Sequence, residues 1–174
     1  MILILIGVSG IGKTTIGKLL AAQTGWRFED ADDYHPVENK EKMAAGIPLN
    51  DNDRWPWLST LHNRMSLYLQ EGSGAIFACS ALKKKYRERL VEGFSDDAFR
   101  FVDLQAPVDV VRERLKARKH EYMNPQLLDS QVAAFEKPSQ AWSISVAGRP
   151  EDAVGEIMER LAAEGALTAA KENK

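Results

Sequence analysis

Near the amino terminus, Gly7-Val8-Ser9-Gly10-Ile11-Gly12-Lys13-Thr14 follows the pattern G-x-x-x-x-G-K-S/T. That spacing suits the cradling of phosphates. Glycines let the backbone fold around an anion, successive N–H groups and a helix N-terminus supply positive potential, a lysine reaches the β and γ phosphates, and a hydroxyl ligates Mg²⁺. Gly7, Ser9, Gly10, Ile11, Gly12, Lys13, Thr14 and Thr15 are accordingly expected to bind a nucleotide, with Lys13 also catalytic and Thr14 a metal ligand. With glycine at about 7% of residues, a chance match in a chain this long arises on the order of 1% of the time. An apolar run precedes the loop and a helix-forming segment follows it, as the motif requires. ATP or GTP is the expected ligand.

A second chemical group is Glu29-Asp30-Ala31-Asp32-Asp33-Tyr34-His35-Pro36. It follows the second apolar segment and so emerges at the carboxyl edge of a sheet, where ligands bind in open α/β folds. In an extended chain Asp30 and Asp32 point to one side, about 6.5 to 7 Å apart, one near a metal and one near an acceptor. Phosphoryl transfer needs a carboxylate that orients a hydroxyl and takes its proton. Asp103, ending the fourth apolar segment, is a lesser candidate for the metal. Other nucleotide classes fit poorly: Asn39-Lys40-Glu41-Lys42 ends in lysine where a guanine-reading N-K-x-D has aspartate, and Ala75 to Cys79 leads into Ser80 without the acidic pair of motor or AAA-type ATPases. A compact phosphotransferase uses the remaining residues best.

The elements that must position these groups alternate between apolar strand-like runs and helical patterns, which predicts an α/β fold with a five-stranded parallel sheet flanked by helices. Strands are expected at Ile2 to Ile6, Trp26 to Asp30, Ala75 to Cys79, Phe99 to Leu104 and Trp142 to Val146. Helices are expected at Lys13 to Gln23, Glu38 to Ala45, Trp55 to Gln70, Leu82 to Glu92, Pro107 to Lys116, Pro125 to Phe135 and Pro150 to Ala163. The 174 residues suit one domain, 1–174, with a polar tail at 165–174. A net charge of −2 disfavours nucleic acid as a partner. No apolar run approaches the ~18 to 20 residues of a bilayer span, and Met1 to Ile6 lacks the basic flank and cleavage site of a leader, so a cytoplasmic protein is expected. The single cysteine, Cys79, excludes an internal disulfide framework.

Further segments resemble the gluconate kinases, relatives of the shikimate and nucleoside monophosphate kinases. Beyond the phosphate loop and Asp30-Ala31-Asp32-Asp33-Tyr34-His35-Pro36, the matching residues are Lys40 to Asp51, Asp53-Arg54-Trp55-Pro56-Trp57-Leu58, Cys79-Ser80-Ala81-Leu82-Lys83-Lys84, Tyr86-Arg87 and Leu127-Leu128-Asp129-Ser130-Gln131. The loop is generic; the Pro-Leu-x-Asp-x-Asp-Arg-x-Pro-Trp-Leu and Cys-Ser-Ala-Leu-Lys segments are specific to that family. The resemblance implies a P-loop kinase fold with a mobile lid at about 118–126, and transfer of the ATP γ-phosphate to the 6-hydroxyl of D-gluconate with Mg²⁺. It implies Asp30 at the metal and Asp32 at the hydroxyl, with His35, Arg54, Ser80, Lys83 and Arg87 as acceptor-binding residues and a homodimer as the assembly. Arg54 leads for the substrate carboxylate because its planar fork suits bidentate recognition. Lys83 and Arg87, four apart, are expected to share a helical face, the alternative being a solvated basic face.

Arg114 and Arg118 are likewise four apart at a helix end. In related kinases that spacing puts one arginine on the adenine and one on the transferring phosphate, so Arg114 is assigned to the base and Arg118, as a catalytic residue, to phosphate. The alternative is a helix end paired with Glu113 or Glu121. Where the family commonly carries Gly-His-Phe after this pair, the chain reads His120-Glu121-Tyr122, and no lid-histidine role is carried over. His62, Cys79 and the four tryptophans are read as structural, and three scattered histidines do not make a zinc site.

Overall fold

A computed structural model of the chain describes residues 1–117 and 125–167. Arg118, nearly all of the expected lid and the tail from 168 onward lie outside the described residues.

Five strands, β1 (Ile2–Ile6), β2 (Arg27–Asp30), β3 (Ala75–Ala78), β4 (Phe99–Gln105) and β5 (Trp142–Ser145), form one sheet in the order β2-β3-β1-β4-β5. Every pairing is parallel, with Ile2 opposite both Ala75 and Phe99. The central strand explains the architecture. Side chains alternate between sheet faces, and all five residues of β1 are fully buried, so both faces must be covered. Leu3 and Leu5 join Ile16, Leu20, Val111, Val154 and Ile157 from the helices α1 (Lys13–Thr24), α5 (Val108–Ala117) and α7 (Pro150–Ala163). Ile2, Ile4 and Ile6 join Trp57, Leu58, Leu61 and Leu90 from α3 (Asp51–Gln70) and α4 (Lys84–Leu90). The remaining helices are α2 (Val37–Ala44) and α6 (Pro125–Ala134).

Close approach of α1 to the sheet depends on Gly17. A Cβ there would stand 2.3 Å from Phe28 Cε2 on β2, nearer than any packed contact allows.

Three local expectations are corrected. Residues Ala31–Tyr34 form a 3₁₀ turn, not an extended segment, because Asp30 Oδ1 accepts the Asp32 N–H at 3.2 Å and caps it. The extended chain on which the same-side spacing of about 6.5 to 7 Å between Asp30 and Asp32 depended is therefore absent. Helix α3 begins four residues before Trp55, at Asp51. Asn50 and Asp53 make a reciprocal capping box, each side chain 3.0 Å from the other's backbone nitrogen, and Pro56 is tolerated inside the helix. Helix α4 starts only at Lys84, leaving Lys83 as its extended N-cap, so Lys83 and Arg87 are not two positions of one helical face. Ala81 just before it takes a left-handed φ of 38°, and the chain turns before helix can form. No helix among the described residues is long and apolar enough to cross a membrane.

Candidate active site

The phosphate loop leaves β1 and enters α1 through Gly12, whose φ of 115° is left-handed and whose missing side chain leaves the first-turn N–H groups uncapped. Gly10 is also left-handed, and a Cβ on it would strike the Leu115 side chain at 2.6 Å. Lys13 Nζ donates to the carbonyls of Gly7 and Val8 at 2.9 and 3.0 Å, lying over the loop. Ile11 is buried, while Thr15 is exposed on the first turn of α1. The Gly7 N–H donates to Ser80 O at 3.4 Å, so the turn after β3 borders the loop.

Beside this loop, the Thr14 hydroxyl donates to Asp30 Oδ2 at 2.9 Å. A hydroxyl and a carboxylate side by side are hard oxygen donors of the kind Mg²⁺ prefers, and uncapped helix amides suit phosphate. These residues fit both groups. Asp103, the rival, is 1% exposed and accepts from Gln105 Nε2 at 2.7 Å. Its burial raises the carboxyl pKa, which disfavours a charged ligand role.

The Asp32 side chain is exposed. Desolvation by the surrounding protein and the Asp30 and Asp33 carboxylates raise its pKa, while the charges of Lys13 and Arg54 pull it back down. Glu29 buttresses the acidic turn from below. It accepts from Tyr34 OH at 2.6 Å, from Arg64 Nη2 at 3.1 Å and from Tyr68 OH; burial works to raise its pKa, but these donors together lower it.

On the acceptor side, Arg54 reaches Leu49 O at 3.4 Å and lies 5.5 Å over the Tyr86 ring. Lys83 Nζ is 3.7 Å from Asp51 Oδ1, which also accepts from Tyr86 OH at 2.5 Å. His35 is buried, stacked on Trp57 with centroids 4.2 Å apart and planes 13° apart. Desolvation, with Arg54 and Lys40 nearby, lowers its pKa to about 4. Arg87 is turned inward. Its guanidinium donates to Ala81 O at 2.9 Å, Leu82 O at 3.1 Å and Glu136 O at 2.7 Å, tying the strained Ala81 turn to the segment after α6.

Arg114 donates to Ile11 O at 3.3 Å and Val146 O at 2.6 Å, bridging the phosphate loop and the turn after β5. It pairs with neither Glu113, which takes Lys116 at 2.8 Å, nor any other carboxylate among the described residues. The structural readings of two other residues hold: His62 stacks on Phe94 and meets Leu90 O at 3.1 Å, and the buried Cys79 thiol is pushed up to about 12 by desolvation, far from reactive.

Two residues that local reading did not mark as site residues belong here. Gln131 on α6 accepts the Ser9 N–H at 2.8 Å through Oε1, and Asn39 on α2 donates to Asp53 O at 2.8 Å. Only the matched Leu127-to-Gln131 segment hinted at the first; no signal in the sequence marked the second, whose burial comes from the fold.

A family profile described as an AAA domain matches residues 2–142. A probable gluconokinase of Dictyostelium discoideum is 48% identical over 145 residues, 81% of this chain and 72% of that protein. Among solved structures, a sugar kinase from Janibacter sp. superposes with a TM-score of 0.85 at 37% identity, covering 95% of this chain and 96% of that one. A gluconokinase from Sinorhizobium meliloti does so with a TM-score of 0.78 at 32% identity, covering 93% and 95%. With a parallel sheet, phosphate loop and acidic turn in place and identity sustained over four-fifths of its length, the chain belongs to the gluconokinase family of P-loop kinases.

Proposed function

We propose that the protein transfers the γ-phosphate of ATP to the 6-hydroxyl of D-gluconate, giving ADP and 6-phospho-D-gluconate. The reading is carried by one observation: the acidic turn is joined to the phosphate loop, Asp30 accepting the Thr14 hydroxyl at 2.9 Å and the Asp32 N–H at 3.2 Å, which leaves the exposed Asp32 carboxylate beside the loop. Asp32 orients the acceptor hydroxyl and takes its proton as the phosphoryl group moves. Its raised pKa strengthens it as a base. Lys13 leaves the loop carbonyls to hold the β and γ phosphates, and the uncapped amides of α1 bind the remaining oxygens. Thr14 and Asp30 would hold Mg²⁺, which would supply charge neutralisation at the transferring phosphates.

Arg54 and Lys83 recognise the gluconate carboxylate and hydroxyls, with Ser80 and His35 as hydrogen-bonding neighbours. Arg87 serves by fixing the Ser80-to-Lys83 turn, since its guanidinium is engaged by main-chain carbonyls. Arg114 borders the base, and Arg118 is assigned to the transferring phosphate by the family resemblance. The test is ADP release with Mg-ATP and D-gluconate, shikimate, glucose or no acceptor, with Lys13→Ala as the blank. Gluconate-dependent turnover absent from the blank is the expected result; ATP binding without gluconate turnover overturns the acceptor assignment.

A further inference from the structure

The amide nitrogen of Asn39 makes two approaches at once: it donates to Asp53 O at 2.8 Å and stands 3.3 Å from His35 Nδ1. A main-chain carbonyl only accepts, so the atom facing Asp53 O is the NH₂ group, and the flip of this amide is fixed by its partner. The same NH₂ has only hydrogens to offer His35. Nδ1 is therefore the bare, accepting nitrogen, and the proton of the neutral ring sits on Nε2. Nε2 in turn faces Asp32 Oδ1 at 3.8 Å. That gap is too long for a direct hydrogen bond, so Nε2 lies beside the Asp32 carboxylate without being bonded to it.

The ring cannot turn to escape this arrangement. It is stacked face to face on Trp57, and the Trp57 indole N–H donates to Ala31 O at 2.7 Å, tying the stack to the turn that bears Asp32. Asn39 itself is 3% exposed, so water does not compete for its hydrogens. The charged groups around the imidazole are Asp32 on the 3₁₀ turn, Lys40 on α2 and Arg54 on α3; the two cations disfavour an imidazolium.

We propose that Asn39 is a positioning residue that holds His35 as the Nε2–H tautomer, so that the acceptor site presents one neutral donor and one base, Asp32. The other tautomer would turn a lone pair toward the Asp32 carboxylate, repelling it and competing for the proton of the acceptor hydroxyl. This rests on the reading of Asp32 as the base of the phosphoryl transfer.

The tautomer is read directly from long-range ¹H–¹⁵N correlation spectra of the ring nitrogens, with no substrate present and with His35 assigned by its loss in His35→Gln. At pH 7 the wild-type protein should show a protonated Nε2 and a bare Nδ1; a protonated Nδ1 overturns the proposal. Asn39→Ala should populate the second tautomer and lower kcat with gluconate at least about tenfold, with KM for ATP within about twofold of wild type. Unchanged tautomer or unchanged kcat in a folded Asn39→Ala protein also overturns it. Asn39→Asp, whose oxygens only accept when ionised, should invert the tautomer, and serves where Asn39→Ala does not fold. Because the spectrum is recorded without substrate, absence of gluconate turnover in the wild type counts against the acceptor reading and not against the tautomer.

Discussion

Replacing Arg87 separates a binding role from a scaffolding one. Arg87 is 5% exposed, and its guanidinium donates to the carbonyls of Ala81, Leu82 and Glu136. Ala81 and Leu82 are themselves buried, so Arg87→Met, which keeps the apolar stem, strands buried acceptors in the protein interior. A hydrogen bond from a charged donor contributes about 1.5 to 3 kcal/mol, and a buried orphan costs about 1 to 3 kcal/mol. Since these overlap, a loss of about 3 to 5 kcal/mol is expected, a large part of the ~5 to 15 kcal/mol that holds a domain folded. At about 2 to 4 °C per kcal/mol for a chain of this size, the melting temperature should fall by roughly 6 to 20 °C. Arg87→Lys should recover little of this, because one ammonium cannot reproduce a planar fork directed at several carbonyls. Urea unfolding followed by tryptophan fluorescence measures the loss, and steady-state kinetics well below the melting point measure KM for gluconate. A stability change under about 1 kcal/mol together with a tenfold or greater rise in that KM would refute the scaffolding argument and place the guanidinium on the substrate.

The depressed His35 pKa gives a pH dependence of defined sign. The ring binds a proton near 6.5 when unfolded but only at about 4 when folded, so its contribution is intact above pH 6.5 and is lost as pH falls toward 4, by about 3 kcal/mol in all. Unfolding free energies of wild type and His35→Gln should therefore converge across that window, and parallel curves would sink the idea. Gly17→Ala should destabilise by about 1 to 3 kcal/mol through overpacking against Phe28, read by thermal melting; a neutral result means α1 shifts without cost. Gln131→Ala removes the acceptor of the Ser9 N–H and should raise KM for ATP about threefold to tenfold while leaving KM for gluconate unchanged. Equal effects on both substrates would show that Gln131 supports the whole cleft and not the loop.

The strands and the phosphate loop were legible because their signals are local. A strand buried on both faces must be almost wholly apolar, and β1 and β3 are apolar throughout while β4 carries one buried carboxylate, Asp103; their expected and observed limits agree within a residue. The glycine-lysine spacing works by backbone conformations that neighbouring residues alone set, as the left-handed Gly10 and Gly12 show. Capping chemistry was equally local but easier to misjudge. The Asn50–Asp53 box starts α3 before Trp55, and the Asp30 side chain winds residues 31–34 into a 3₁₀ turn where an extended run was expected.

Which polar groups face the cleft was decided only by the folded chain. Arg87 and Lys83 read alike as basic residues four apart, yet one is drawn to interior carbonyls and the other remains beside Asp51, because the left-handed turn at Ala81 delays the helix. Gln131 reaches Ser9 across 122 positions, and Asn39 acquires its meaning only when α3 brings Asp53 O to its amide. A side chain's type states what it can donate or accept. Its partner is set by packing of elements far apart in the chain, since a buried polar group must take whichever complementary atom the fold delivers to it.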